Sequence, residues 1–226
     1  MRVATFNVRG FRDGGDGVAE VVQAIEPDVL LVQETGSRRA LRRFAAKTGM
    51  RAASDPWSPL RRRVKNAVLV REPLRLSSER LARFPDARRW YPRGVLVVRV
   101  DRDGEGGLWA LSVHLGLGGD ERGRQVEALL ALIASLDGAM VLVGGDLNAT
   151  PDMRAPSRLA ESLRDAWAEV GEGDGETFPA LAPIARIDYI FVGSGLRVRA
   201  AHVGSGGAHR VSDHLPVSVD LALAWE

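Results

Sequence analysis

The apolar run Met140-Val141-Leu142-Val143 leads through Gly144 into Gly145-Asp146-Leu147-Asn148-Ala149. A buried strand that ends this way aims a carboxylate and a carboxamide, two residues apart, out of one edge of a sheet. That pair suits holding a metal, a water or a phosphoryl oxygen. Ser212-Asp213-His214-Leu215-Pro216 offers a second polar tip of this kind near the C-terminus. Asn7 follows Val3-Ala4-Thr5-Phe6, and Glu34 follows Val29-Leu30-Leu31-Val32-Gln33. Four such tips in one short chain are hard to explain as packing.

With 226 residues the chain can bury one sizeable core, so a single domain over 1–226 is expected. Its hydrophobic (45%) and charged (27%) fractions are ordinary for a globular protein and give no sign of disorder. Without cysteine, disulfides and thiolate metal sites are excluded. Residues 1–15 hold no apolar leader segment, and no stretch nears the roughly 18 apolar residues of a membrane span. The expectation is a cytoplasmic, monomeric protein with no membrane partner. Net charge is only +2, but nearly all basic residues are arginine, clustered at Arg38, Arg39, Arg42 and Arg43, at Arg61, Arg62 and Arg63, and at Arg88, Arg89 and Arg93. Such clusters either reflect the codon bias of a GC-rich genome or suit a polyanion.

Val18, Val21, Val22 and Ile25 follow helical spacing up to Pro27; Leu41, Phe44 and Ala45 mark a second helix between Ser37 and Gly49. Val126, Leu129, Leu130, Ile133 and Leu136 mark a third, opened near Asp120 and ended by Asp137-Gly138. Strand-like runs at 2–7, 28–33, 66–71, 94–100, 108–114, 140–145, 186–192, 196–203 and 215–221 give about nine strands. The turn Asp101-Arg102-Asp103-Gly104 makes the middle strands an antiparallel hairpin. Both kinds of connection fit an α/β (α+β) fold in which helices flank two stacked mixed sheets, better than a doubly wound parallel sheet.

Asp188, in Arg186-Ile187-Asp188-Tyr189-Ile190-Phe191, is an acid inside an apolar strand and needs a partner. Either Arg186 satisfies it, or it orients an imidazole elsewhere. His114 ends another strand-like run, Ser112-Val113-His114.

Taken in order, these segments resemble the endonuclease/exonuclease/phosphatase superfamily, the DNase I-like fold. Thr5-Phe6-Asn7-Val8-Arg9 is similar to its opening strand and Val32-Gln33-Glu34 to its QE motif. Ser112-Val113-His114-Leu115 is similar to S-x-H-L, and Gly144-Gly145-Asp146-Leu147-Asn148 to G-D-x-N. Arg186-Ile187-Asp188-Tyr189 is similar to R-I-D-Y, and Ser212-Asp213-His214-Leu215-Pro216 to S-D-H-x-P. The resemblance implies a four-layer α/β/β/α sandwich and a Mg²⁺-dependent (Mn²⁺ as substitute) phosphoesterase. It further implies that Glu34 is the principal metal ligand, with Asn7 and Asp213 beside it. Asp146 would orient or deprotonate the attacking water, and Asn148 would bind a phosphoryl oxygen. His214, held by Asp188, would contact the phosphate, and His114 would be a phosphate ligand or the leaving-group acid. Arg93 is expected among the substrate-binding groups.

Two departures stand out. DNase I-like nucleases pair the first histidine with a glutamate from a neighbouring strand; 65–72 offers only Asn66 or Glu72, with no clear match. Abasic-site nucleases generally carry tyrosine where His114 stands. Trp57 near Arg61, and Trp90 and Tyr91 beside Arg88 and Arg89, could stack on bases or could simply be core or lid. The expected substrate is nucleic acid, with a small phosphate ester as the alternative; a non-catalytic module should have lost some of these polar residues. No exposed apolar hairpin of the sphingomyelinase kind is evident.

Overall fold

The computed structural model describes residues 1–56, 58, 60–85, 90–102, 106–136, 138–204 and 207–223. Trp57, Arg88, Arg89, Asp137 and the Asp103-Gly104 part of the turn lie outside them. Among the described residues are twelve strands and five α-helices. One six-stranded sheet runs β11(Leu196–Val203), β12(Val217–Leu223), β1(Arg2–Asn7), β2(Val29–Gln33), β4(Ala67–Val70), β3(Arg51–Ser54). The other runs β5(Arg75–Arg83), β6(Gly94–Arg102), β7(Gly106–His114), β8(Val141–Asp146), β10(Asp188–Val192), β9(Arg164–Asp165).

Each sheet contains one parallel pair, β1–β2 and β7–β8, and is otherwise antiparallel. A parallel pair needs a crossover. Helix α1(Gly15–Ile25) supplies it between β1 and β2, and α3(Gly119–Ala134) between β7 and β8. Asn7, Glu34, His114 and Asp146 therefore all stand at the carboxyl ends of parallel strands, where side chains and loops are free to form a site.

Three apolar layers hold the four structural layers together. Between the sheets, Val3, Val29, Leu31 and Val68 meet Leu96, Val98, Leu108, Leu142 and Ile190. On the outer face of the first sheet, Phe6, Leu30 and Val32 pack on Val18 and Val22 of α1 and on Leu41 and Phe44 of α2(Arg38–Thr48). On the outer face of the second, Val97, Leu111, Val113 and Val143 pack on Val126, Leu129 and Ile133 of α3 and Leu159 of α4(Arg154–Ala160). The architecture is the expected sandwich of two mixed sheets.

The first two helices follow their sequence signals. Ser37 Oγ accepts the Ala40 N–H at 3.1 Å, and Gly49, at φ 67°, closes α2 in the left-handed conformation glycine favours. Helix α1 stops at Ile25, two residues before Pro27. Strands β3, β5 and β9 and helices α4 and α5(Ala166–Val170) carry no such signal. The exposed strand β5, Arg75-Leu76-Ser77-Ser78-Glu79-Arg80-Leu81-Ala82-Arg83, is mostly polar and is held by its pairing with β6.

Candidate active site

Register builds the centre of the site. Gly94, His114, Asp146 and Asp188 are successive cross-strand partners, so they form one transverse row across the second sheet. Asn7 and Gln33 are partners at the matching edge of the first. Beneath them a polar clamp joins the two sheets: Thr5 Oγ1 donates to Gln33 Oε1 (3.3 Å), Gln33 Nε2 to Ser112 Oγ (3.0 Å), and Ser112 Oγ to Val32 O (3.0 Å). Gly145 admits no side chain, because a Cβ there would lie 1.9 Å from the Val113 carbonyl oxygen. Glycine at this position lets β8 lie close enough to β7 to set Asp146 beside His114.

Asp146 is the hub. Its Oδ2 accepts from Asn7 Nδ2 at 3.0 Å and lies 3.3 Å from His114 Nε2 and 3.8 Å from His214 Nε2. Its Oδ1 accepts the Asn148 N–H at 2.9 Å. Burial works against its charge, but the hydrogen bond from His114, the nearby His214 and the Asn148 N–H outweigh it, and its pKa falls well below the usual carboxylate range. Asn148 also donates from Nδ2 to Leu115 O (3.0 Å).

The alternative left open at Asp188 is resolved. Arg186 pairs with Asp165 instead, at 2.8 Å. Asp188 Oδ2 lies 2.9 Å from His214 Nδ1 and accepts from Thr177 Oγ1 at 2.6 Å, while Oδ1 is buried with no partner among the described residues. Desolvation raises the Asp188 pKa, partly offset by His214. Desolvation lowers that of His214, but the Asp188 and Asp146 carboxylates outweigh it and lift the imidazole to about 10. Phe178 covers the ring at a centroid distance of 5.0 Å. Thr177 and Phe178 were not singled out in the sequence; no spacing marks a threonine 11 residues before an acid as its partner.

His114 has an unexpected partner. Asn66 donates to Gly94 O (3.0 Å) and Ser112 O (2.8 Å), clamping β6 to β7, and Glu72 pairs with Arg51 on the surface. The group at His114 Nδ1 is Arg93 Nη1, 2.9 Å away. Arg93 thus reaches the site through the imidazole.

Glu34 is half-buried just beyond β2, and its backbone carbonyl accepts the Gly10 N–H at 2.8 Å. Arg93 feels its charge, together with those of Asp146 and Glu121, although burial lowers the Arg93 pKa overall. Asp213 is also half-buried and is ion-paired with Arg9 Nε at 3.2 Å, a residue visible in the opening motif but given no role there. Asp146, Asp188 and His214 place ligand-type atoms within 4.8 Å of one another, close enough to hold a metal ion. Around the cleft, Arg9 (φ 46°), Glu34 (φ 55°), Lys65 (φ 66°) and Asn148 (φ 49°) all adopt the left-handed conformation that non-glycine residues disfavour.

The arginine clusters divide. Arg63 is structural: its guanidinium binds buried Asp55 (2.9 Å), Gly36 O (2.9 Å) and Thr35 Oγ1 (3.2 Å), bracing the loop after Glu34. Arg38 caps Asp55 O at 2.7 Å. Arg62 lies over the Trp90 ring at 4.3 Å, and both Trp90 (63%) and Tyr91 (68%) are strongly exposed two to three residues from Arg93. On the His214 side, the turn closed by the Phe178–Ala185 bridge exposes Leu181 (82%) and Ile184 (77%), an apolar tip that the sequence reading did not single out.

The chain is a DNase I-like sandwich with acids and imidazoles gathered at one end of two facing sheets. The chain belongs to the Endonuclease/Exonuclease/phosphatase family, which it matches over residues 4–214. It is 30% identical over 164 residues to the Escherichia coli (strain K12) protein described as uncharacterized protein YbhP; the match covers 70% of this chain and 62% of that relative. Its fold is similar to the Bacteroides thetaiotaomicron VPI-5482 mannosyl-6-phosphatase (TM-score 0.80, 18% identity, 99% and 100% of the two chains). It is also similar to D. rerio TDP2 complexed with single-strand DNA product (TM-score 0.76, 17% identity, 98% of each chain). No described helix is long and apolar enough to cross a membrane.

Proposed function

We propose that this chain is a divalent-metal-dependent phosphodiesterase acting on nucleic acid with unpaired bases. The observation that carries the substrate reading is the rim formed by Trp90, Tyr91 and Arg62 beside Arg93. Two exposed aromatic rings, one backed by a guanidinium, suit stacking on successive bases, and they lie three and two residues before Arg93, which contacts His114.

The residues fit a hard cation. Glu34 is half-buried and its carboxylate has no hydrogen bond or ion pair among the described residues, which leaves it free to bind a cation. Glu34, with Asn7 and Asp213 beside it, would hold Mg²⁺ or Mn²⁺, and the bound ion would supply Lewis-acid charge at a phosphoryl oxygen. Asp213 would then exchange Arg9 for the ion. The buried Asp146–Asp188–His214 group suits a metal less well, because His214 Nδ1 is engaged by Asp188 and the ring holds its protons to high pH. Asp146, with its depressed pKa, is a poor proton acceptor and a good orienting group for the attacking water. His214, kept protonated, directs Nε2–H at the phosphoryl oxygens, and the second N–H of the Asn148 amide is a further donor.

The internal engagement of Arg63 and Arg38 leaves fewer arginines for a long polyanion and favours the second reading, a small phosphate ester. Assay of the purified chain with Mg²⁺ against single- and double-stranded DNA, RNA, and small phosphomono- and diesters tests both. Hydrolysis of single-stranded substrates, abolished by EDTA and reduced roughly 10²-fold or more in Glu34→Ala, is the expected result. Undiminished hydrolysis in EDTA overturns the metal assignment, and cleavage confined to small esters overturns the nucleic-acid assignment.

A further inference from the structure

We propose that Arg93 is a positioning residue that fixes His114 as a permanent Nε2–H donor, so that His114 binds and stabilises the phosphoryl group without giving up a proton. This rests on the phosphoesterase reading above. A guanidinium has donors and no acceptor, so the 2.9 Å contact of Arg93 Nη1 with His114 Nδ1 requires the lone pair on Nδ1. The ring's proton then lies on Nε2, which points at Asp146 Oδ2, 3.3 Å away. A second proton on Nδ1 would confront the guanidinium directly.

The surroundings hold this arrangement. Arg93 O accepts the Phe84 N–H at 3.0 Å, and Asn66 clamps the next residue, Gly94, to Ser112. Gly94 itself is the cross-strand partner of His114. A Cβ at Gly94 would lie 2.5 Å from Ala82 O, so the β6 backbone has no room to drift toward β5. The charged groups facing this corner are Asp146 from β8, His214 beyond it, Glu34 after β2 and Glu121 from α3. The acids offset the guanidinium charge, and the only ring nitrogen they can meet as a donor is Nε2. The glutamate partner that would let such a histidine shuttle a proton is replaced here by a guanidinium that takes the Nδ1 lone pair.

The test is the imidazole ¹⁵N spectrum of the whole chain without substrate, with the His114 signals assigned by their loss in His114→Gln. The expected pattern is a bare Nδ1 and a protonated Nε2 at neutral pH. Arg93→Met, similar in length but without donors, should bring tautomer exchange and lower kcat about tenfold or more with a smaller change in KM. Arg93→Lys, which keeps one donor, should restore the single tautomer. In hydrolysis, His114→Gln, which keeps a donor near the Nε2 position, should exceed His114→Ala by about tenfold or more. A doubly protonated His114 near neutral pH in the unsubstituted chain overturns the proposal, whatever the fate of the variants; so does an unchanged tautomer in a folded Arg93→Met. Because the tautomer is read without turnover, a chain with the expected spectrum and no phosphoesterase activity counts against the functional reading instead.

Discussion

His114 and His214 occupy mirrored places in the cleft and have opposite neighbours. Both direct Nε2 at the same oxygen of Asp146, at 3.3 and 3.8 Å. Behind His114 stands a guanidinium at 2.9 Å, and behind His214 a buried carboxylate at 2.9 Å. The carboxylate side holds its imidazole protonated to about pH 10, whereas the guanidinium side meets its ring at the Nδ1 lone pair. Two similar side chains thus become different reagents, a cation and a dipolar donor, chiefly through the group at Nδ1. A phosphoryl group between them would meet positive charge from one side and a directed hydrogen bond from the other.

The contrast can be broken at its common point. Asp146→Ala removes the acceptor both imidazoles face, and kcat should fall by roughly 10³-fold or more with circular dichroism unchanged. On the His214 side alone, Asp188→Ala, His214→Ala and the double variant should each lose about 10²-fold or more, with strong non-additivity; additive losses would mean that the two act separately. Trp90→Ala should reduce the preference for a single-stranded oligonucleotide over a small diester by about 5- to 100-fold, the scale of one base stack. Arg61→Ala with Arg62→Ala should flatten the salt dependence of binding by about 0.7 to 0.9 log units per lost contact, with Arg63 left in place because it braces the loop. The smallest effect is on stability. A raised pKa for His214 means that its stabilisation is complete below about 6.5 and is lost as pH rises through about 10. The melting temperature of the unsubstituted chain relative to His214→Gln should therefore decline across that window.

The sequence disclosed the His214 side better than the His114 side. Asp188 was legible because an ionisable group in an apolar strand demands a partner, and the motif order named His214. Arg93 was expected to bind substrate, but its contact with His114 was not legible, because that depends on Gly94 being the cross-strand neighbour of His114, and pairing register is a long-range property. The glutamate sought on the neighbouring strand was the wrong chemistry at the right place: Asn66 is there, clamping backbones. Apolar periodicity disclosed the central strands and three helices. It was silent on β5, whose polar sequence takes its extended form from β6, and on the two-residue β9. The cluster Arg61, Arg62 and Arg63 read as one feature, yet Arg62 lies on Trp90 and Arg63 on buried Asp55, a division that only tertiary contacts create.

The left-handed residues around the cleft set up a conflict for anyone selecting sturdier versions of this protein. At Arg9, Glu34, Lys65 and Asn148, glycine would relieve local backbone strain at each position, offset in part by the freedom it adds to the unfolded chain. Lys65 is exposed and takes no part in the proposed chemistry, so Lys65→Gly should gain up to about 1 kcal/mol at no catalytic cost. The same exchange at Glu34 or Asn148 would win heat tolerance by discarding the working side chain. A screen scored on melting alone would drift toward an inert scaffold, and one scored on turnover would retain the strain.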